Sequence, residues 1–302
     1  MNNKTTSNLL GLILKASIVG ICGAMFPVIY LFFPAIFVTE SIKEGILKTM
    51  AVFLFVCALV GVVFGVNMAV AILTVFGPMI LIFNFMITNK FSVNTTIIST
   101  AILFFVSMIF MAYTAGLTPD MLKSQDTINS FIEMQNGLLS QGGDLGEISS
   151  VDATALYNRS LQLMPAVLLL ISLCISYITY TRTGRNLLKS DKLIIQPNSF
   201  VFFRLPNEMI ISGVIGILGV FLFQDFVGST YKIIIENIVI VFAALLFFQG
   251  LSVIKYLMMR SKVNLFLQNL LILGAFVIPG VQFFFVIVGL VDMVFNFRKV
   301  PS

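Results

Sequence analysis

The chain contains no histidine and no tryptophan, and charged side chains make up only 10% of its 302 residues. Without histidine, imidazole proton relays, zinc sites that need His ligands and Ser-His-Asp triads are excluded. A typical soluble domain is about 25% charged, so the low charge content argues against a water-soluble fold. The three cysteines lie inside apolar runs, where we expect them to pack as small apolar residues.

Apolar residues make up 59% of the chain and are grouped in long continuous runs. A helical membrane crossing needs about 20 apolar residues. Runs near this length cover roughly residues 46–64, 68–87, 96–113, 161–180, 209–223 and 233–257. Residues 265–295 form a longer run with Pro279-Gly280 in its middle, which predicts a hairpin of two short helices. The sequence therefore predicts an all-α, polytopic transmembrane bundle with about 8–10 membrane segments.

The N-terminal run, residues 9–38, contains Lys15, Pro27 and Pro34, and it fits either one tilted crossing or two short ones. Cytoplasmic loops are enriched in Lys and Arg. With two crossings and an inside N-terminus, 15 of the 18 basic residues fall on the cytoplasmic side. With one crossing the best split is 13 against 5. We prefer the first assignment, and both of them place the C-terminus in the cytoplasm.

Residues 117–160 form the one sizeable hydrophilic segment, and six acids against Lys123 and Arg159 place it outside. Thr118-Pro119-Asp120 is typical of a helix start, with a capping residue, a first-turn proline and an acid near the positive helix end. Apolar residues then recur at helical spacing, which predicts an amphipathic helix over about residues 118–136. This helix lies either on the outer surface or over the mouth of a pocket.

Five amides inside the apolar runs are the candidate substrate-binding residues: Asn84, Gln249, Gln268, Asn269 and Gln282. Amides cannot face lipid without losing hydrogen bonds. They either bond between helices or line a wet cavity for a neutral or weakly charged organic solute. Bare metal ions prefer carboxylate, imidazole or thiolate ligands, so we predict no metal site and no cofactor.

Two further groups of residues have packing roles. Ala16, Gly20 and Ala24 recur every four residues, and such a face lets a second helix approach closely. The partner helix belongs either to this chain or to another subunit. We interpret Asp292 and Arg298 as structural ion-pairing residues, although their spacing of six does not align them on one helix face. A basic residue on a neighbouring helix is the alternative partner for Asp292.

The sequence contains none of the motifs that would predict an enzyme or a nucleic-acid-binding protein. A phosphate-binding GxxxxGK[ST] loop is missing, and no apolar run carries paired carboxylates. A basic face with interleaved aromatic residues is missing as well. We therefore predict that the chain is not an enzyme, does not bind nucleic acid and must take any energy for transport from a partner.

Several segments resemble the YybS-like family of uncharacterised bacterial membrane proteins, over nearly the whole chain. They are Phe33-Pro34, Lys43-Glu44-Gly45, and residues 203–208 (FRLPNE), 248–251 (FQGL) and 289–299 (GLVDMVFNFRK). The last stretch is the most specific, although that family more often has Asp where Asn296 stands. The resemblance implies a multi-pass protein of the bacterial cytoplasmic membrane.

The N-terminal part of that family is distantly similar to the S components of energy-coupling-factor vitamin transporters. This likeness implies an S-component-like bundle over residues 1–200, which includes the outside segment, and additional transmembrane helices over residues 201–302. It also implies that Ala16, Gly20 and Ala24 dock on a coupling subunit, which works with an ATPase. Residues 201–302 extend beyond the usual six helices of an S component.

Two functions follow from these expectations. The first is binding or transport of a small organic solute, with a separate energising partner, in a pocket near the outer face under the predicted helix at residues 118–136. The second is a structural or regulatory membrane protein that organises other complexes without transport. A shared water-accessible cavity lined by the five amides would favour the first, and amides packed within the fold would favour the second.

Overall fold

The computed structural model describes residues 2–141, 150–206, 208–278 and 280–299. About 85% of the chain is helical, and the described residues contain no β-strand. Residues 142–149, in the middle of the predicted outside segment, lie outside the described residues, as does Pro279 of the predicted hairpin. The all-α prediction is confirmed.

The chain divides into two compact units. Unit 1 comprises Met1–Tyr157 and Ile171–Pro197, and unit 2 comprises Asn158–Leu170 and Asn198–Ser302. Residues 158–170 group with unit 2 because Arg159 pairs with Glu236 at 2.5 Å and the Asn237 amide bonds to the backbone of Gln162 and Ala166. The domain division at residue 200, which was predicted with an S-component-like first part, stays a prediction.

The helices of unit 1 that precede residue 142 are joined by short connections. The helices of the whole unit are α1 (Asn2–Met25), α2 (Phe33–Glu44), α3 (Ile46–Phe64), α4 (Val66–Thr88), α5 (Val93–Thr114), α6 (Pro119–Leu122), α7 (Gln125–Gln141) and the two ends of α8 (Ser150–Leu188). A short 3-10 helix, Pro27–Leu31, separates α1 from α2, and Pro27 and Pro34 each stand in the first turn of the helix that follows. The prolines divide the N-terminal run because proline cannot continue the hydrogen-bonding pattern of a preceding helix.

Unit 1 is held together by phenylalanines from four helices. Phe33 and Phe37 of α2 pack edge-to-face at a centroid distance of 5.0 Å, and Phe37 meets Phe53 of α3 at the same distance. Phe76 of α4 connects Phe33 with Phe104 of α5, each at 5.5 Å. Aromatic pairs at these distances add about 0.5–1.5 kcal/mol beyond the area that they bury. The short helix α2 is therefore a central part of the core, with most of its side chains buried.

The helices of unit 2 are α9 (Glu208–Leu222), α10 (Gln224–Val227), α11 (Tyr231–Arg260), α12 (Leu265–Val277) and α13 (Val281–Phe295). Helices α11 and α13 touch backbone to backbone at two glycines. A Cβ atom on Gly250 would overlap the carbonyl oxygen of Phe285, and one on Gly289 would overlap that of Leu246. Small residues permit such approaches between membrane helices, so these two glycines fix the distance between α11 and α13.

Five helices in the described residues are long and apolar enough to cross a membrane, namely α3, α4, α5, α8 and α11. Helices α12 and α13 together would add a sixth crossing, although they are bent by 110° relative to each other. Two shorter apolar helices cover Leu10–Met25 and Ile211–Leu222. The predicted helical membrane bundle is confirmed. Its predicted count of about 8–10 segments is reached only if the shorter helices and both halves of the bent pair are counted.

Candidate functional site

A polar cleft opens in unit 1 where α1, α2 and the end of α8 meet. Its volume is about 690 Å³. The charged and polar residues that line it are Lys15, Thr39, Glu40, Lys43, Glu44, Asn186, Lys189 and Ser190, beside Gly11, Leu12 and Ile36. We call it the charged cleft. On α1 and α2 these residues are spaced three or four apart, which places them on one helix face. Lys189 and Ser190 lie in the turn that follows α8.

The charges in this cleft are only partly paired with each other. Lys43 and Glu40, three residues apart on α2, form an ion pair at 3.4 Å. Within the described part of the chain, Lys15, Lys189 and Glu44 have no ion-pair partner. Two ammonium groups and one carboxylate are therefore available to a ligand, and they would suit a solute with an acidic group and an amine.

The C-terminal end of α2, which forms one side of the cleft, is fastened by a lysine from the segment after α8. The Lys192 Nζ donates to the carbonyl oxygen of Ile42 at 2.8 Å and to that of Lys43 at 3.4 Å. The last carbonyls of a helix lack partners within the helix and carry the negative end of its dipole. The ammonium group of Lys192 satisfies them and holds the end of α2 in place.

A row of buried hydroxyl groups on α8 continues from the charged cleft into the apolar part of unit 1. We call Ser172, Ser176, Thr179 and Thr183 the hydroxyl face. All four side chains are fully buried. The same three- and four-residue spacing leads on to Asn186 in the lining of the cleft, so one face of α8 is polar over about 21 Å from Ser172 to Asn186.

Three of these hydroxyl groups make no hydrogen bond. The hydroxyl oxygens of Ser176, Thr179 and Thr183 have no partner among the described residues. Elsewhere in unit 1, buried threonines donate to the carbonyl four residues earlier, as Thr39 does to Ala35 at 2.6 Å and Thr100 does to Thr96 at 2.7 Å. Buried polar groups are nearly always hydrogen-bonded, so these three hydroxyls differ from the bonded threonines of unit 1. The Ser17 hydroxyl of α1 is also buried and has no partner among the described residues.

None of the five predicted substrate-binding amides lines either of the two cavities described here. Asn84 of unit 1 donates to the Ser41 hydroxyl at 3.0 Å. In unit 2, Gln268 donates to the carbonyl of Val263 at 2.9 Å and Gln282 to that of Phe276 at 3.3 Å. Asn269 is exposed. Gln249 is fully buried within a cluster of charged and polar side chains in unit 2.

The predicted docking residues pack within this chain. Ala16 is fully buried, and Gly20 is buried against Val56 and Val60 of α3. A Cβ atom on Gly20 would approach the Val60 side chain to 3.2 Å, so α3 lies tightly on this face. Ala24 is partly exposed. Of the two partners considered from the sequence, the packing supports a helix of the same chain.

Asp292 and Arg298 of unit 2 form a buried ion pair. The Arg298 Nη2 lies 2.8 Å from the Asp292 Oδ2, and the Nε donates to the Oδ1 at 3.3 Å. The guanidinium also donates to the Ser252 hydroxyl at 2.5 Å and to the carbonyl oxygens of Val201 and Phe203, each at 2.7 Å. One side chain thus connects α11, α13 and the segment before α9.

Gln249 completes this group, which we call the arginine cluster (Gln249, Ser252, Asp292 and Arg298). Its Nε2 donates to the Asp292 Oδ2 at 3.0 Å, and its Oε1 accepts from the Leu205 backbone N–H at 3.0 Å. Arg298 reaches Asp292 because α13 ends at Phe295 and the chain turns at Asn296, whose φ is 47°. The two residues, which are six apart in sequence, therefore pair across a turn and not along a helix face.

An apolar groove in unit 2 lies between α11, α12 and α13. It has a volume of about 1040 Å³, and its lining is wholly apolar. Met258 and Val263 lie at one end, and Ile278 and Val281 lie at the other. Such a groove offers no hydrogen bond to a polar solute, so the charged cleft is the better candidate for a solute-binding site.

The start of the predicted outside segment has the helix cap that the sequence predicts. The Thr118 hydroxyl accepts from the Met121 N–H at 3.3 Å, which confirms the capping prediction. The predicted single helix is divided into α6 and α7, and the Tyr157 hydroxyl donates to the Leu122 carbonyl at 2.6 Å. Neither of the two cavities described here is lined by residues 118–136.

Sequence reasoning did not identify the charged cleft or the hydroxyl face. The lysines of the cleft served only to orient the chain, because a sequence does not show which charges meet across helices. The spacing of Ser172, Ser176, Thr179 and Thr183 was a readable signal, since four hydroxyls at helical intervals interrupt an apolar run. The described residues contain no group of three or more His, Cys, Asp or Glu that could hold a metal ion.

Comparison with known proteins gives one family. The family model described as predicted membrane protein (DUF2232) matches residues 15–293. No curated protein and no solved structure matches the chain. The narrower YybS-like name and the likeness to S components are not supported by these comparisons and stay predictions. Because the match covers both units of the fold, the chain belongs to the DUF2232 family of membrane proteins.

Proposed function

We propose that this membrane protein binds a small polar organic solute at the charged cleft of unit 1 and takes part in its transport. The observation that supports this proposal is the cleft itself, where lysines and glutamates from separate helices surround a volume of about 690 Å³. Ligand pockets typically have volumes of about 300–1,000 Å³ and a few convergent polar groups. Lys15 and Lys189 would bind an acidic group of the solute, and Glu44 would bind an amine.

The proposed site replaces the outer pocket that the sequence suggested under residues 118–136. The charge count assigns Lys15, Lys43 and Lys189 to the cytoplasmic side. We therefore propose that the solute is held at the cytoplasmic end of unit 1, in the bacterial cytoplasmic membrane. The five amides are no longer the leading candidates, because none of them lines this cleft.

The energy for transport is proposed to come from a separate partner. The sequence has no phosphate-binding loop that could hold ATP. A coupling subunit with an ATPase is the partner that we propose, and an ion gradient is the alternative. We also keep the proposal that the chain is not an enzyme and needs no cofactor.

Solute binding is tested by mass spectrometry of small molecules extracted from the purified full-length protein. We expect the wild-type protein to carry an organic acid or zwitterion and the double variant Lys15→Ala/Lys189→Ala to lose it by about tenfold or more, because each charge-assisted hydrogen bond contributes about 1.5–3 kcal/mol. Lys48→Ala/Lys123→Ala is the matched control, since both lysines are exposed and lie outside the cleft. Preparations that carry only lipid, or equal amounts of solute in both variants, would contradict the proposal.

A structural or regulatory role is the second candidate. The observation that favours it is the arginine cluster, where Gln249 is used entirely within the fold of unit 2. Purification from native membranes distinguishes the two functions. Copurification of an ATPase and a coupling subunit in fixed ratio would favour transport, whereas a stable complex with membrane proteins that lack an ATPase would favour the organising role.

A further inference from the structure

The hydroxyl face of α8 is the strongest feature of unit 1 that the charged cleft alone does not explain. Ser176, Thr179 and Thr183 are fully buried, and their hydroxyl oxygens have no partner among the described residues. A buried hydroxyl without a hydrogen bond is unfavourable by about 1–3 kcal/mol. Three such groups on one helix face would be hard to retain in a dry, closely packed interface.

The position of this face suggests what its partners are. Thr183 lies one turn before Asn186, which lines the charged cleft, and Thr179 lies one turn further into the apolar part of unit 1. The row carries no charged side chain between Ser172 and Asn186 on this face. It can exchange hydrogen bonds with water or with uncharged polar groups, but it cannot compensate a charge.

We infer that the hydroxyl face forms a polar path that extends the charged cleft into the membrane and receives the uncharged, hydrogen-bonding part of the solute. This inference rests on the proposed function, since the charged end of the solute stays at Lys15, Lys189 and Glu44. The ligand is thus an organic acid or zwitterion whose body carries hydroxyl, carbonyl or amide groups. A solute with a purely aliphatic body would leave the three hydroxyls unbonded.

Other buried threonines in unit 1 bond to a backbone carbonyl four residues earlier in the chain. Thr96 donates to the carbonyl of Ser92 at 2.9 Å, and Thr49 donates to that of Gly45 at 3.0 Å. A threonine bonded in this way needs no outside partner. The hydroxyl face makes no such bonds in its last three members, and this difference identifies the path.

Cysteine accessibility tests the path without any ligand. In the full-length protein, reconstituted in liposomes, Cys22, Cys57 and Cys174 are replaced by alanine, and Thr179→Cys and Thr183→Cys are introduced one at a time. The probe is a charged methanethiosulfonate reagent, which reacts with the thiolate and therefore with a hydrated cysteine. We expect both variants to react about tenfold faster or more than either control below, because an apolar surrounding suppresses the thiolate.

Two controls on the same helix define the dry background. Native Cys174, kept as the one cysteine, is exposed on the outside of the helix and would face lipid. Leu187→Cys replaces a fully buried apolar side chain beside the cleft. If Thr179→Cys and Thr183→Cys react no faster than these two, the face is dry and the inference is overturned.

A second pair of variants tests the chemistry of the solute. Thr179→Val/Thr183→Val keeps the volume of both side chains and removes both hydroxyls, so the fold is retained. We expect a loss of the bound solute from the extracted small molecules and an unchanged melting temperature. Full retention of the solute, with a higher melting temperature, would show that the hydroxyls were buried without partners and would overturn the inference.

The two proposals can fail separately. Rapid labelling of the hydroxyl face together with equal solute in wild type and Lys15→Ala/Lys189→Ala would leave the path standing and reject the charged cleft as the solute site. Slow labelling together with loss of solute in the lysine variant would retain the cleft and reject the path.

Discussion

Arg298 connects more elements of unit 2 than any other side chain in the arginine cluster. We expect Arg298→Lys to destabilise the protein by about 2–4 kcal/mol, because lysine keeps the positive charge but leaves buried acceptors of the cluster without a donor, at about 1–3 kcal/mol each. An ammonium cannot replace a guanidinium that bonds to Asp292, Ser252 and two carbonyls at once, because those bonds need the planar fork of arginine. Thermal unfolding of the purified protein in detergent measures the effect.

Lys299→Ala is the control for this substitution. The lysine is exposed and adjacent in sequence, so its removal is expected to change the free energy of unfolding by no more than about 0.5 kcal/mol. Equal melting temperatures for wild type and Arg298→Lys would show that the ion pair is solvated and that the cluster does not hold the unit together.

The ion pair also shows which contacts between single residues can be predicted from the sequence and which cannot. Asp292 and Arg298 were identified as ion-pairing residues because both are charged at the end of an apolar run. Their direct contact was not expected, since a spacing of six separates two residues on a continuous helix. The contact depends on the left-handed turn at Asn296, a local conformation that asparagine tolerates but that the sequence does not require.

At the scale of helices, the contact between α11 and α13 depends on two glycines. Gly250→Ala or Gly289→Ala would place a methyl group on a backbone carbonyl oxygen of the partner helix. The two helices would have to separate, and overpacking of this kind costs about 1–3 kcal/mol. We expect a lower melting temperature in detergent for each variant.

Glycines of α9 provide the matched controls. No atom lies within 4 Å of a Cβ atom built on Gly216 or Gly219. Alanine there is expected to be neutral or to stabilise the helix by up to about 1 kcal/mol through its better helix propensity. If Gly250→Ala behaves like Gly216→Ala, then α11 and α13 are not in close backbone contact.

The helices themselves were largely predictable, whereas the site was not. The apolar runs predict α3, α4, α5 and α11 nearly at their observed bounds. Long continuous apolar runs are typical of membrane helices. The sequence left one or two crossings open for residues 9–38. The prolines divide this run into two helices, and the number of crossings stays a prediction. The charged cleft depends on which faces of α1, α2 and α8 meet, and such contacts come from tertiary packing that helix periodicity does not encode.

For the whole molecule, the position of the basic residues decides how the cleft is used. A cleft on the cytoplasmic side would release or accept solute inside the cell, and one on the outside would capture it. The count of 15 basic residues against 3 predicts the cytoplasmic side. Membrane sidedness therefore links the electrostatics of the chain to the direction of the proposed transport.

Labelling of single cysteines in intact cells tests this orientation. In a chain without its native cysteines, Ser190→Cys marks the exposed segment at the cleft and Lys123→Cys marks the turn after α6. We expect a membrane-impermeant maleimide to label Lys123→Cys in intact cells and to label Ser190→Cys only after permeabilisation, because the basic loops stay in the cytoplasm. The reverse pattern would turn the cleft outward. In that case Lys15 and Lys189 would meet the solute before it enters the membrane, and the charged cleft would be a capture site and not a cytoplasmic one.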